Sequence, residues 1–365
     1  MQIKQLTAQR FRNLQDFTLQ PSPDCNVIIG PNAQGKTNVL EAIWLFTGSK
    51  SFRGAKDREM IAFDQQNALL KMGFFAAQRD QTADIVIEKG RTATLNELKL
   101  SSPSKMAGVF CGVVFSPAHL QLIKQGPQER RHFIDAAYCQ LRPGYLSVLS
   151  EYLHTLQQRN TLLKDSRHNS QVLDLLDIFS DRLATGAVKV WAARQAYIQK
   201  LAPQAAEIYG GISRQTEKLE ISYQNSANIQ QIPPEQQKEA FLSALSACRE
   251  QDLAMGFTTI GPHRDDLSVT VDGNCARAYA SQGQQRSAVL ALKLAEASLL
   301  RQVTGEQPIA LLDDVMSELD PMRQEYILNH IRDWQVFITC CDPSALLRMK
   351  SGKQFHMKQG VLIEQ

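Results

Sequence analysis

The sequence predicts an α/β protein whose head is assembled from both chain ends, with a mostly helical insertion between them. Three observations carry this expectation. Near the N-terminus the apolar run Asn26-Val27-Ile28-Ile29 leads through a glycine-bounded loop into an amphipathic stretch. Near the other end Ile309-Ala310-Leu311-Leu312 reads as a buried strand that stops at two carboxylates, Asp313 and Asp314. Between Arg130 and Tyr209 long stretches of 3.6-residue apolar period dominate, and glycine and proline are sparse.

Taken in order, residues 1–6 and 17–19 alternate as strands do and flank a polar turn holding Arg10-Phe11-Arg12-Asn13. The run at 26–29 is a short buried strand, and 37–46 reads as a helix whose apolar face is Val39, Leu40, Ile43, Trp44 and Leu45. From Ile61 to Phe115 the pattern is short β-like runs, among them 83–87 and 109–115. Helices are expected over 145–163 and 172–201, then a break at Pro233-Pro234 and a helix over 236–250. A strand at 267–271 precedes the turn signal Asp272-Gly273. A helix over 284–302, a strand at 309–312, a helix near 322–332 and a strand at 335–339 complete the pattern. The expected division is 1–120 with 256–365 for the head and 121–255 for the helical insertion.

Composition excludes several classes. With 43% hydrophobic and 21% charged residues in 365, the chain is not a disordered tail protein. No run approaches the roughly 18–20 apolar residues that span a bilayer. Met1 is followed by Lys4 and Arg10 with no apolar leader. A soluble, cytoplasmic protein is expected. The seven cysteines are odd in number and form no C-x-x-C pair, which argues against zinc ribbons and redox dithiols. A net charge of +3 gives no bulk-charge argument for nucleic acid.

The strongest motif is Gly30-Pro31-Asn32-Ala33-Gln34-Gly35-Lys36-Thr37, a G-x-x-x-x-G-K-[ST] match between strand and helix. Gly30 and Gly35 allow the tight turn that points successive N–H groups into one concavity, and the helix adds its positive N-terminus. Lys36 can reach the β- and γ-phosphates of ATP, and Thr37 can offer a hydroxyl to Mg²⁺. A P-loop also needs a carboxylate at the end of a neighbouring strand. Asp313 is the candidate to hold the metal, and Asp314 to orient or deprotonate the attacking water. These carboxylates begin 277 residues after Lys36, much farther than in compact P-loop kinases and GTPases. Between them Ser281-Gln282-Gly283-Gln284-Gln285-Arg286-Ser287 opens a helix, and Ser281 with the N–H groups near Gly283 suits a second anion site.

This combination resembles the heads of the SMC/RecF-type ABC ATPase family, and in particular its RecF-like DNA-repair branch. Besides the P-loop, the resemblance rests on Phe11-Arg12-Asn13, Ser51-Phe52-Arg53-Gly54, Phe115-Ser116-Pro117 and Gln158-Arg159-Asn160-Thr161-Leu162-Leu163-Lys164. It extends through Gly261-Pro262-His263-Arg264-Asp265-Asp266, Ser281–Ser287 and the run from Leu311 to Asp320. It implies an ABC-type head with a short helical arm, and a homodimer enclosing two ATP molecules. Ser281 and Gly283 of one subunit would complete the other's site in trans, and Ser317, Glu318, Leu319 and Asp320 would lie at the dimer interface. Arg12 resembles an arginine that touches phosphate.

The resemblance further implies weak, DNA-stimulated ATP hydrolysis. It implies binding to single-stranded DNA and to single/double-strand junctions at gaps and stalled forks. RecR with RecO are the implied protein partners in loading the RecA recombinase and supporting the SOS response, and no membrane is involved.

Three departures stand out. Asp314 replaces a frequent Glu. No His follows the strand at 335–339, leaving Thr339 as a substitute sensor. Ser116-Pro117 stands where a Gln is usual. Basic residues for DNA are expected in two clusters: Lys50, Arg53, Lys56 and Arg58, and Arg130 with Arg131. An ABC transporter subunit and a non-catalytic nucleotide-binding scaffold are the alternative readings.

Overall fold

The computed structural model describes residues 1–166, 173–341 and 352–364. The chain divides into two compact units, Met1–Leu122 with Glu207–Glu217 and Ser281–Gln365, and Ile123–Ala206 with Lys218–Ala280. The first part of the chain runs β1 (Gln2–Gln9), β2 (Phe17–Leu19), β3 (Cys25–Ile29), α1 (Lys36–Leu45), β4 (Ala68–Ala76), β5 (Arg79–Ile87), β6 (Arg91–Leu95), β7 (Leu98–Lys99), β8 (Gly112–Phe115) and α2 (Pro117–Leu120). Then come α3 (Pro127–Leu141), α4 (Tyr145–Asp165), α5 (Leu173–Ser213), β9 (Leu219–Gln224), α6 (Gln237–Ala247), α7 (Arg249–Met255), β10 (Asp266–Val271), β11 (Asn274–Cys275) and α8 (Ala276–Tyr279). The chain finishes with α9 (Gln282–Thr304), β12 (Ile309–Asp313), α10 (Pro321–His330), β13 (Val336–Cys340), β14 (Gly352–Lys358) and β15 (Val361–Glu364).

The first unit holds two six-stranded sheets. One has the order β2-β1-β4-β5-β6-β7 and is antiparallel throughout. The other has the order β15-β14-β3-β13-β12-β8, parallel from β14 to β8 with β15 antiparallel at one edge. Sequence pattern explains the difference. β3, β8, β12 and β13 are buried at every residue, as strands of a sheet covered on both faces must be. β4 and β5 instead alternate between buried and more open positions, so one face packs inward. A single core cluster joins Ile3, Leu70 and Phe74 of the antiparallel sheet, Ile43 of α1, and Ile28, Leu311 and Phe337 of the parallel sheet. Of the ten residues of α1 only Thr37 is not buried.

The second unit packs α3, α4 and α5 with the three-stranded sheet β11-β10-β9. Its core includes Tyr152, Leu183, Trp191 and Phe241. Relative to the division expected from composition, residues 256–280 pack with this unit and 207–217 with the other. The helix expected to end at 201 continues to Ser213 through Pro203. Proline forfeits one ladder hydrogen bond there, but burial of Ala205, Ile208, Tyr209 and Ile212 carries the helix on. Among the described residues no helix is long and apolar enough to cross a membrane.

The second unit is rich in buried charge. Arg159, 1% exposed, donates to Asp252 at 2.7 Å, Thr258 at 2.7 Å and Ser180 at 3.1 Å, and Asn160 accepts from Thr258. Arg194 grips Asp135 with two bonds of 2.9 and 2.8 Å and also donates to the Pro262 carbonyl. Asp265 accepts from Trp191 Nε1, the Tyr223 hydroxyl and the Ser226 amide. Arg159, Asn160, Pro262 and Asp265 of the motif runs therefore help to build the interior of this unit. Replacing Arg159 with Met would leave the Asp252 carboxylate buried without its cation. Arg159→Met is expected to cost about 3–5 kcal/mol of stability, read from urea unfolding; a loss below about 1 kcal/mol would show that the pair is dispensable.

Candidate nucleotide site

Close packing dictates the shape of the loop between β3 and α1. Gly35 has φ 111° and caps α1, and a Cβ there would lie 2.8 Å from Leu14 and 2.9 Å from the Asn13 side-chain oxygen. At Gly30 a Cβ would come within 2.3 Å of the Met357 carbonyl oxygen on β14. Ala33 also takes a left-handed conformation, φ 63°. The loop thus turns twice through geometry that side chains resist, and it delivers its amides to the start of a helix.

Lys36 is almost fully enclosed, with a side chain 3% exposed. Its ammonium donates to the Gly30 carbonyl at 2.8 Å, the Pro31 carbonyl at 3.1 Å and Cys341 Sγ at 3.3 Å. Among the described residues its only carboxylate neighbour is Asp314, with Oδ2 at 4.0 Å. A buried cation held chiefly by neutral carbonyls is prepared for an anion.

One residue on, the Thr37 hydroxyl donates to Asp313 Oδ1 at 2.7 Å, and Thr339 donates to the same oxygen at 2.9 Å. The register of β12 and β13 sets Asp313 opposite Thr339. Burial pushes the Asp313 carboxyl above its usual range, while the two hydroxyls and Arg53 pull it back. Asp314 adopts φ 48°, and its amide donates to Thr339 Oγ1 at 2.9 Å. The Thr339 hydroxyl therefore bonds to both members of the acidic pair. The Thr37 hydroxyl and Asp313 carboxylate are hard oxygen donors of the kind Mg²⁺ takes while keeping waters and phosphate oxygens, so the residues present fit that ion.

Three segments buttress α1. Glu41 is fully buried and receives Nε and Nη2 of Arg12, both at 2.9 Å, as well as the Ser51 hydroxyl. Arg12 Nη1 donates to the Glu59 carbonyl. The charge expected to touch phosphate is thus balanced inside the protein, and Arg12 here orients α1. Asn38 donates to Asn13 at 2.6 Å and accepts from Arg53 at 2.9 Å. Arg53, expected among the DNA contacts, is exposed and also reaches α1, close enough for its charge to act on Asp313.

The C-terminal hairpin was not anticipated. Gln359 (φ 50°) and Gly360 (φ 79°) turn β14 into β15. The Gly360 amide donates to the Gln34 carbonyl at 3.1 Å, its carbonyl accepts the Gln15 amide at 2.9 Å, and the Gln359 amide donates to the Gln34 side chain at 2.6 Å. The signal was available in the alternation around Phe355 and Met357 followed by Gln-Gly and an apolar run. Cys341 was equally unforeseen, and it touches both Lys36 and, at 3.0 Å, Asn32.

Ser281 is the N-cap of α9 in a reciprocal capping box: Gln284 N donates to Ser281 Oγ at 3.2 Å and Ser281 N to Gln284 Oε1 at 2.8 Å. The Gly283 carbonyl accepts Arg323 Nη2 at 3.1 Å, and Arg323 Nε donates to Ser287 at 2.7 Å. Arg323 also pairs with Asp320, and Arg286 with Glu318. These bonds join 281–287 and 317–320 in one surface where Ser317, Glu318 and Asp320 are exposed and Leu319 is buried. Ser116 caps α2 and meets His119 Nδ1 at 2.9 Å.

The basic candidates separate. Lys50, Arg53, Lys56 and Arg58 are exposed on the first unit. Arg130 is buried in the second, bidentate to Asp266 at 2.7 and 2.8 Å and bonded to the Ile123 and Gln125 carbonyls. Arg131 is half-buried and donates to the Asp265 carbonyl at 2.6 Å. α3 carries both arginines onto β10 and its approach. Arg130 is thereby corrected from the expected surface cluster to the interior of its unit, and Arg131 is partly withdrawn with it.

The family model described as the RecF/RecN/SMC N terminal domain matches residues 2–363. The DNA replication and repair protein RecF of Lactobacillus delbrueckii subsp. bulgaricus is 41% identical, over 100% of this chain and 97% of its own length. The RecF of Acetivibrio thermocellus is 36% identical over 98% of each chain. A solved structure described as the recombination mediator protein RecF with ATP in the RecFOR pathway superposes with a TM-score of 0.93. It shares 35% identity and covers 100% of this chain and 97% of that one. An Smc head from Pyrococcus furiosus, at 14% identity and a TM-score of 0.54, shares the fold.

Cys341 provides a direct probe of occupancy, because it is exposed and adjoins Lys36, whereas Cys275 is exposed in the second unit. A nucleoside triphosphate at about ten times its Kd is expected to slow alkylation of Cys341 roughly tenfold and leave Cys275 unchanged. Equal labelling of Cys341 with and without nucleotide, read by peptide mass spectrometry, would place the phosphates elsewhere.

Proposed function

The chain belongs to the RecF family of DNA replication and repair proteins, with an ABC-type ATPase head, and from that premise we propose that it is an ATP-switched DNA-binding homodimer. The observation that carries the reading is Lys36, a buried ammonium under its own glycine loop, one residue from the Thr37–Asp313 pair. ATP would lie with its phosphates on the loop amides and Lys36. Mg²⁺, held by Thr37 and Asp313, would supply charge neutralisation at the phosphates. Asp314 would orient the attacking water and take its proton as the new bond to Pγ forms and the bond to the ADP oxygen breaks.

Ser281 and Gly283 of the second subunit would complete each site in trans, with Ser317, Glu318, Leu319 and Asp320 at the interface. Intact triphosphates favour the closed dimer and hydrolysis releases it, a two-state equilibrium biased by ligand. The substrate class proposed is single-stranded and gapped double-stranded DNA at single/double-strand junctions. RecR with RecO are proposed as partners in loading RecA and supporting SOS induction. The full-length relationship to RecF favours this reading over a transporter subunit, and the acidic pair at Asp313 and Asp314 favours it over a non-catalytic scaffold.

The test is ATP hydrolysis and sedimentation with and without gapped DNA. ATP-dependent dimerisation and faster hydrolysis on DNA are expected; their joint absence would overturn the proposal. Lys36→Met should abolish the nucleotide-driven dimer and lower hydrolysis roughly a hundredfold. A persisting dimer would show an interface indifferent to phosphate.

For DNA, Lys50, Arg53, Lys56 and Arg58 are the exposed footprint proposed on the head. The double reversal Lys56→Glu/Arg58→Glu should weaken DNA binding and reduce the slope of log affinity against log salt by about 2 in magnitude. Unchanged affinity and slope at low salt would remove this cluster from the interface, and ATP affinity is expected to stay as it was.

A further inference from the structure

The end of α5 reverses sharply within the first unit. Arg214 (φ 54°) and Gln215 (φ 61°) both take left-handed geometry without being glycine, an arrangement that costs energy and persists only where surroundings enforce it. Gln215 N closes the turn on the Gly210 carbonyl at 2.8 Å, and the Thr216 hydroxyl donates to the Ser213 carbonyl at 2.6 Å. The reversal folds Glu217 back onto its own helix. There the hydroxyl of Tyr209, itself fully buried, donates to Glu217 Oε2 at 2.6 Å.

The second oxygen of that carboxylate is also engaged. Glu217 Oε1 accepts Gln284 Nε2 at 2.9 Å, and Gln284 is the residue whose Oε1 accepts the Ser281 amide. The chain of contacts is thus Tyr209, Glu217, Gln284, Ser281, and it joins the last turns of α5 to the N-cap of α9. A free glutamine amide samples several rotamers and can present either oxygen or nitrogen to the cap. A carboxylate can only accept, so Glu217 forces Gln284 to aim its NH₂ at itself and its oxygen at the Ser281 amide. Gly211 adds a steric contact to the same region, since a Cβ there would meet the Tyr326 hydroxyl of α10 at 2.5 Å.

We propose that Tyr209 and Glu217 are positioning residues for the α9 N-terminus, holding Gln284 so that Ser281 and Gly283 present a preorganised phosphate contact to the partner subunit. The inference rests on the trans site described above and deepens it. α5 begins in the second unit and ends at this hook in the first. The hook therefore ties the end of α5 to the α9 cap through the Glu217–Gln284 hydrogen bond.

The test uses the full-length chain and three variants, Tyr209→Phe, Glu217→Ala and Gln284→Ala. Amide hydrogen exchange at 282–285 in the nucleotide-free protein reads the cap directly. Exchange there should rise in Tyr209→Phe and Glu217→Ala, while exchange in β3 and β12 stays at wild-type levels. ATP affinity of the monomer should be unchanged, and ATP-driven dimerisation should weaken roughly tenfold, the scale of one charge-assisted hydrogen bond. Glu217→Ala combined with Gln284→Ala should be no worse than either alone, because the two act in series.

Unaltered exchange at 282–285 overturns the positioning role, whatever the dimer does. Raised exchange with wild-type dimerisation overturns its use in the trans contact, as would additive losses. A wild-type protein that fails to dimerise with ATP is a different result, and sinks the proposed function itself.

Discussion

A helix buried on every side must have each of its polar groups matched by the protein or reserved for a ligand, and α1 is such a helix. Glu41 is matched by Arg12 and Ser51, and Asn38 by Asn13 and Arg53. Lys36 is the residue left with carbonyls and a thiol in place of a close counter-ion, and Thr37 faces the acidic strand end. The segments around Arg12, Ser51, Asp313, Thr339 and Cys341 are widely separated in sequence. They meet around this one buried helix.

Charge is used in two ways. In the second unit, Arg130, Arg159 and Arg194 each close on an aspartate and on further carbonyl or hydroxyl oxygens, so the ions satisfy one another. Pairs of this kind add modest net stability, while each is expensive to break. They fix how α3, α4 and α5 meet the small sheet. At the glycine loop of the first unit, Asp314 stays 4.0 Å from the Lys36 ammonium without closing into a compact ion pair. Stable internal pairing serves architecture, whereas incomplete pairing leaves binding energy for a ligand.

Much of this was legible in the chain. β3, α1, β12 and β13 follow from short apolar runs and a helical period, and the P-loop with Asp313 and Asp314 from residue types whose spacing has a mechanism. Other features were not. The Arg130-Arg131 pair resembles a surface patch because sequence shows charge but not the carboxylate and carbonyls 136 and 134 residues away that receive it. α5 runs through Pro203 because burial outweighs one lost hydrogen bond, a comparison that needs the packed neighbours. The bonds of Thr339, expected as a substitute sensor, to the Asp314 amide and the Asp313 carboxylate follow from strand register that sequence alone does not show.

The hairpin of β14 and β15 gives the site a temporal dimension. β3 pairs with β13 on one side and β14 on the other, and the turn at Gln359-Gly360 is stitched to Gln34 and Gln15. In sequence, β3 and the glycine loop precede both strand neighbours by more than 300 residues. Pairings across more than 300 residues form slowly because loop closure must precede them. Until β13 and β14 join it, β3 lacks both of its flanking strands and Gly30 lacks the Met357 carbonyl against which it packs. The nucleotide cradle is therefore completed by the segments that lie farthest from it in sequence.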